Sequence, residues 1–502
     1  MGKNRFTFQF VLLSLILLFS VTCISTLKAQ KKVKYTLNEV IKIAQRQSPD
    51  ALMAIHRFRS EYWRYRSFKA DYLPNLSLSA TLPDVNRSIN AISSQDGTIN
   101  YTPQSITNYS LDVSLRQKIG LTGGEVFINS GIAQMDNFLP DTTRRQFLSN
   151  IVNIGIRQPI FSYNKYKWDK KINPLEYEQA KRKYLESSED IAIKAIDYFF
   201  ALLSAQIEKE IAEKNYHNYD TLYHIAQGRY NLGKIAENDL LQLELNLLKA
   251  DASVENAELN YDNRLFLFKS FLRLKDTLDV ELIPPAVTPY FDIPVQKAIE
   301  LAKLNTSEGM DFQKRILQAE SQLDMAKMNG RFDANFFASF GLTQTAATMP
   351  DAYKNPLDGE RVSLGITLPI LDWGKARGQI KMAESNLDLV QTAVQQDKLD
   401  FEQNIYLQIM QFKMQKKQLF IAAKSDTVAQ KRYEVTHKRY MIGKINNVLD
   451  LNMAQIDNDN ARKSYFNSLS VYWKNYYRIR KMTLFDFENN RPLVFDTDLL
   501  IK

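Results

Sequence analysis

The chain has 502 residues, with 65 Lys and Arg against 56 Asp and Glu, a formal net charge of +9, and a single cysteine, Cys23. Basic and acidic residues are interspersed rather than gathered into a stripe, which argues for a solvated surface and against a nucleic-acid partner. One cysteine allows no disulfide framework within the chain.

At the N-terminus, Lys3 and Arg5 precede an apolar run from Phe8 to Ile24, and small and polar residues lead to Leu27-Lys28-Ala29-Gln30. This reads as a secretory signal peptide over residues 1–29, cut after Ala29. The rival readings are a single membrane anchor, or Cys23 as a lipid-modified first residue. Ser20-Val21-Thr22 lack the small residue such a site has before its Cys. No later stretch offers the roughly 20 apolar residues of a membrane helix. An exported chain of this kind is periplasmic, secreted or an outer-membrane barrel.

The predicted elements then follow in order. A helix spans about Pro49–Tyr72, and period-two alternation begins at Leu76, Leu78, Ala80 and Leu82, with Ser77, Ser79 and Thr81 between them. Leu111, Val113 and Leu115 alternate again, Thr122-Gly123-Gly124 makes a turn, and Val126, Ile128 and Ile132 return as the second arm of a hairpin. A long helix is expected from about Pro174 to Tyr230, roughly 85 Å, and a returning helix over about Ala236–Lys275. Leu241, Leu243, Leu245 and Leu247 alternate like a strand. Leu241, Leu245, Leu248 and Ala252 equally fit a helix apolar on two sides. After the linker Ile283-Pro284-Pro285-Ala286-Val287-Thr288-Pro289 come a helix over Thr306–Arg331 and a strand with Val362, Leu364, Ile366 and Leu368 on one face. From Ala376 to about Met441 there is no proline. Ile380, Ala383, Leu387, Val390, Val394 and Phe401 recur at coiled-coil spacing over roughly 100 Å. A last helix covers about Asn447–Met482.

The order is doubled. Arg229-Tyr230-Asn231-Leu232-Gly233-Lys234-Ile235 recurs as Arg439-Tyr440-Met441-Ile442-Gly443-Lys444-Ile445, offset by 439 − 229 = 210. Gln158-Pro159-Ile160-Phe161 recurs at the same offset as Leu368-Pro369-Ile370-Leu371, whereas Tyr72–Leu82 matches Phe332–Leu342 at 260. The difference places an insertion of about 50 residues between Asn75 and Gln158, where length changes fall in loops or hairpins. The expected organisation is residues 30–292 and 293–502 as two repeats, with strand-rich inserted sequence at about 84–150.

On these doubled motifs, and on the ending from Ala454-Gln455 to Tyr472-Trp473-Lys474-Asn475-Tyr476-Tyr477, the chain resembles the TolC-like outer-membrane efflux proteins. The resemblance implies a mainly α fold with a β-barrel portion. Three protomers would share one transmembrane barrel and a tunnel of long antiparallel coiled-coil helices, with two repeats per chain. It implies an outer-membrane duct whose tunnel reaches through the periplasm to an adaptor and an inner-membrane pump, surrounded by outer-membrane lipid. It also implies four strands per protomer, a count that the insertion puts in question. In the family the helix hairpin ends form the periplasmic entrance. The candidates there are Arg229, Tyr230, Gly233, Lys234, Asp239, Arg439, Tyr440, Gly443, Lys444 and Asp450. Asp239 and Asp450 would form acidic rings, or merely stabilise the N-terminal ends of the returning helices. The basic residues would form closing ion pairs, adaptor contacts or solvated surface. Tyr163, Tyr166, Trp168 and Trp373 follow the last strand of each repeat, as an interface girdle or ordinary packing aromatics would.

No catalytic constellation is visible, and neither an enzyme nor a cofactor is expected. His217 and His224 have no Cys or Glu to complete a metal set, and Gly120–Gly124 lacks the Lys-Ser/Thr ending of a phosphate loop. The rival function is a periplasmic coiled-coil scaffold or adaptor. It leaves the doubled strands unexplained. The cargo class, small-molecule efflux, metal efflux or protein secretion, stays open.

Overall fold

The structure, a computed structural model, describes residues 32–93, 97–139, 141–285, 291–442 and 448–501. The expected signal peptide with Cys23, most of the proline linker, and Gly443 and Lys444 lie outside the described residues.

The elements are β1 (Lys32–Thr36), α1 (Leu37–Gln47), α2 (Pro49–Ala70), β2 (Asn75–Ser93), β3 (Ile99–Ile119), β4 (Gly124–Phe138), β5 (Thr143–Ile160), α3 (Lys165–Asn231) and α4 (Glu237–Leu272). There follow β6 (Asp279–Ile283), α5 (Val295–Asn305), α6 (Ser307–Asn329), β7 (Asp333–Ala346), β8 (Leu357–Thr367), α7 (Lys375–Met441) and α8 (Val448–Thr483). Two-residue strands β9 (Phe485–Asp486) and β10 (Arg491–Pro492) and a short α9 (Thr497–Ile501) end the chain. The molecule is thus mixed α/β, with long helices and an antiparallel sheet.

Two compact units divide it. One holds Ile55–Glu186, Gln296–Ile405 and the C-terminal residues from Val494. Its sheet has the order β2-β3-β4-β5-β7-β8, antiparallel throughout. The inserted sequence forms the β3–β4 hairpin, which turns at Gly123, where φ is +79° and the amide donates to the Ile119 carbonyl at 2.8 Å. Beside the sheet lies a helical layer. Arg64 of α2 reaches Glu176 of α3 at 3.0 Å, Gln179 of α3 donates to Asp311 of α6 at 3.1 Å, and Arg315 of α6 meets Asp397 of α7 at 2.6 Å. Each of these four helices leads directly into or out of a strand: α2 into β2, β5 into α3, α6 into β7, β8 into α7.

The other unit runs through Ala54 and holds Ser187–Val295 and Tyr406–Leu493. A parallel pair, β1 with β6, joins residues 32–36 to 279–283. A capping box starts α1: the Glu39 amide donates to the Thr36 hydroxyl, and the Thr36 amide to the Glu39 carboxylate. The long helices pack in the order α4-α3-α8-α7, linked by Asn260 to Glu208, Asn215 to Asp459 and Gln408 to Asn475.

Helices α3 and α7 each run for 67 residues, about 100 Å. The start expected at Pro174 for the first of them is corrected: the helix begins nine residues earlier, with Pro174 inside it. Proline removes one intrahelical donor, but three contacts hold the preceding turns. The Lys167 amide donates to the Asn164 side chain at 3.1 Å as an N-cap. The Trp168 indole donates to Asp324 at 2.8 Å, and the Tyr163 hydroxyl lies 2.6 Å from that of Ser321. The four alternating leucines belong to a helix, α4. Leu243 is buried while Leu241, Leu245 and Leu248 are exposed.

Candidate functional site

Two regions stand out, and each lies within one unit. The first is the sheet. Register sets Leu76, Leu115, Ile128, Ile154 and Phe340 side by side across five strands, and the row ends in Glu360 on β8. One residue along, the row reads Ser77, Ser114, Asn129, Asn153, Gly341 and Gly359. Successive side chains of a strand point to opposite faces, so one face is an apolar belt and the other is small and polar. The belt is open to the surroundings: Leu76, Leu78, Val113, Ile128, Ile154, Phe340, Val362 and Leu364 are all exposed. On the polar face Phe127 is buried and stacks on Phe337, 5.8 Å between centroids. Gly155 makes this possible, because a Cβ there would come within 2.3 Å of the Phe127 ring.

The second region is the helix hairpin end. Helix α3 closes with a Schellman arrangement. The Gly233 amide donates to the Tyr230 carbonyl at 2.8 Å and the Lys234 amide to the Arg229 carbonyl at 2.9 Å, with Gly233 at φ +69°. The doubled glycine motif therefore has a geometric reason in its first copy. Arg229 does more than its sequence position announces. Its guanidinium donates to the backbone carbonyls of Tyr440 and Met441, both at 3.4 Å, and lies over the Tyr440 ring at 5.4 Å. It thus caps the C-terminal end of α7, where unpaired carbonyls and the helix dipole favour a cation. Tyr440 is buried with Leu222, Ala226, Leu243, Tyr433, Val448, Leu451 and Ala454 in one apolar cluster. Tyr230, Lys234 and Arg439 are exposed. Asp239 and Asp450 stand in the first turns of α4 and α8, the first half-buried and the second exposed. Of the aromatics proposed for a girdle, Trp168 is buried and Tyr163 and Tyr166 half-buried, while Trp373 is 89% exposed.

Polar groups that the sequence did not single out lie inside this helical packing. Asn218 donates to the Tyr433 hydroxyl at 3.0 Å, and the Tyr219 hydroxyl donates to Asn452 at 3.2 Å. Burial pushes both phenols up to about 12. Asp459 accepts from Asn215 at 2.8 Å, and burial raises its carboxyl above the usual range. These groups line or adjoin a polar pocket of about 200 Å³, together with Asp426 and Gln455. Gln455 is 2% exposed, and neither atom of its amide meets a protein partner. Farther along the same helices, Glu189 and Arg480 form a buried ion pair at 3.0 Å, and Tyr476 donates to Asp486 at 2.7 Å beside it. Burial pushes Glu189 up to about 7, although Arg480 acts to lower it. Asparagine, tyrosine and aspartate at core-facing helical positions left no signal in the sequence, because their partners lie up to about 240 residues away.

Among the described residues, no group of three His, Cys, Asp or Glu is placed to hold a metal ion. Nor is any described helix long and apolar enough to cross a membrane. Backbone hydrogen bonds satisfied strand to strand, in a sheet whose faces differ in polarity, are what a strand-built membrane channel requires. That is the class to which this fold points. The outer membrane efflux protein family matches residues 125–266 and 314–483, more than half of the chain, and the chain belongs to that family. It is a transport protein of the outer membrane rather than an enzyme.

Solved structures of similar fold include the Campylobacter jejuni CmeC outer membrane channel. It is 18% identical at TM-score 0.64, covering 93% of this chain and 88% of that one. The outer membrane protein VceC of Vibrio cholerae is 13% identical at TM-score 0.63, covering 91% and 97%. The open state of the Neisseria gonorrhoeae MtrE outer membrane channel is 13% identical at TM-score 0.59, covering 91% of each chain. At these identities the likeness is one of fold. No curated protein matches the chain.

Proposed function

We propose that three copies of this chain form the exit duct of a tripartite export assembly, sharing one barrel in the outer membrane and one tunnel of long helices. Residues 30–292 and 293–502 act as two repeats of one unit. The hairpin ends meet a periplasmic adaptor and, through it, an inner-membrane pump. The observation that carries this reading is the sheet register, which sets an exposed apolar belt back to back with a row of Ser, Asn and Gly. An open sheet with such a belt is poorly suited to water, and its edges are unsuited to lipid until they are paired. A coiled-coil scaffold has no use for either feature.

At the hairpin ends, Arg229, Tyr230, Gly233, Lys234 and Asp239, with Arg439, Tyr440, Gly443, Lys444 and Asp450, form the gate region. Gly233 and Arg229 act by fixing the turns. Asp239 and Asp450, repeated about a three-fold axis, present acidic rings to cations. Tyr163, Tyr166, Trp168 and Trp373 mark the membrane-facing end of the helices, with Trp373 the ring most available to an interface.

Cross-linking in intact cells, followed by detergent extraction and capture of a tagged copy, tests the reading. Recovery of a trimer with a periplasmic adaptor and a pump is expected. A proton-driven pump would assign small-molecule efflux, and an ATP-driven one peptide or protein secretion. Release of the protein by alkali without detergent would sink the duct and leave the scaffold.

A further inference from the structure

Six strands stand beside only four helices that enter or leave the sheet. The extra two are β3 and β4, the hairpin supplied by the insertion. We infer that this hairpin is part of the membrane wall. Three copies then close edge to edge, β2 of one against β8 of the next, into an eighteen-stranded barrel as wide as the ring of helices beneath it. The inference rests on the three-copy duct proposed above.

Four observations support it. The hairpin is hydrogen-bonded into the sheet on both sides: β3 pairs with β2 from Asn75↔Arg116 to Ser93↔Ile99, and β4 pairs with β5 from Glu125↔Arg157 to Phe138↔Thr143. It is therefore neither a plug nor a detached loop. Its faces also continue those of its neighbours. Leu111, Val113, Leu115, Ile128 and Ile132 lie on the apolar side, while Asp112, Ser114, Asn129 and Gly131 lie on the polar side. In a water-filled lumen that apolar stripe would be exposed to solvent, whereas in the wall it faces lipid.

The edges are the third observation. β8 is exposed along its whole length and β2 along nearly all of it, and both carry the belt, as Leu76 and Leu78 on one and Val362 and Leu364 on the other. β2 leads away from its helix and β8 leads back to one, so neighbouring copies meet antiparallel. Adding two strands keeps the total even, as closure of an antiparallel barrel requires.

The fourth is width. Strands about 4.8 Å apart and tilted by about 40° each take about 6.3 Å of circumference, so six cover about 38 Å. Four helices at about 9.5 Å between axes cover about 38 Å as well. A four-stranded sheet would cover only about 25 Å and would narrow the exit above the helices. With the hairpin the barrel has a backbone diameter of about 36 Å, and roughly twice the cross-section of a twelve-stranded one. The membrane section then ceases to be a bottleneck, and selection by size falls to the hairpin ends.

Single-particle imaging of the full-length, detergent-extracted protein tests this directly, with eighteen strands at about 36 Å expected. Independently, Leu78→Cys with Val113→Cys, paired neighbours on β2 and β3, should form a disulfide within one chain in intact outer membranes. Twelve wall strands with the hairpin in the lumen, and no such disulfide, would overturn the wide barrel while leaving the duct intact. Absence of any trimer would overturn both.

Discussion

The sheet and the helical packing around Arg480 and Gln455 solve the problem of buried polarity in opposite ways. In the sheet, backbone groups pair strand to strand, and side chains are sorted by face: the row through Leu115 and Ile128 is apolar, the row through Ser114 and Asn129 polar. In the helical unit most backbone bonds are internal to a helix, the β1–β6 pair apart, and polarity enters through side chains placed in the packing. Some are well matched, as Asn218 is with Tyr433. Others are not: the Gln455 amide and one carboxylate oxygen of Asp426 meet no protein partner. A ladder tolerates no slip, because moving by one residue exchanges the faces. A helical seam with incompletely matched polar groups is cheaper to rearrange.

The strongest way to break the contrast is a charge on each face of the sheet. Val113→Arg, on the apolar belt, should cost roughly 2–4 kcal/mol, read as lost folded protein in lipid and a lower urea midpoint. Its neighbour Ser114→Arg, on the polar face, should cost far less. Equal penalties would mean that neither face meets lipid.

The helical unit should respond to pH instead. Burial pushes the folded Glu189 carboxyl up to about 7 against an ordinary value of 4.5, so the stability this shift contributes is fully present below about 4.5 and is lost as pH rises through 7. Glu189→Gln should abolish that dependence. Melting curves from pH 4.5 to 8 would read it as a widening stability gap in favour of the variant. Parallel curves would show Glu189 ionised throughout.

A smaller change sharpens the picture at the hairpin ends. Arg229→Met removes the cap on the α7 carbonyls and the contact with the Tyr440 ring, and should cost about 1–2 kcal/mol. Bilayer recordings should then find longer or more frequent openings. Unchanged openings would confine Arg229 to a structural role.

Much of this was legible in the sequence, and the reasons are specific. The course of α7 could be read from the spacing of Ile380, Val394 and Phe401 on an uninterrupted proline-free stretch, and the inserted hairpin from the alternation on either side of Gly123. The start of α3 was not legible, because Pro174 suits a first helical turn, and the N-cap Asn164 shows itself only through its bond to the Lys167 amide. The β1–β6 pairing joins two five-residue strands about 250 residues apart, too short for periodicity to mark. At the hairpin ends, Gly233 was legible because a positive φ selects its residue type. The partner of Arg229 was not, since a backbone carbonyl can belong to any residue.

The two open edges of the sheet also bear on how the molecule is made. A single chain carries on β2 and β8 a full line of unpaired backbone donors and acceptors, a template for any strand it meets. In the proposed trimer, neighbouring copies satisfy both lines at once. Maturation of such a chain is therefore a race between encountering its own kind and encountering anything else, and its yield should depend on local concentration and on escort across the periplasm.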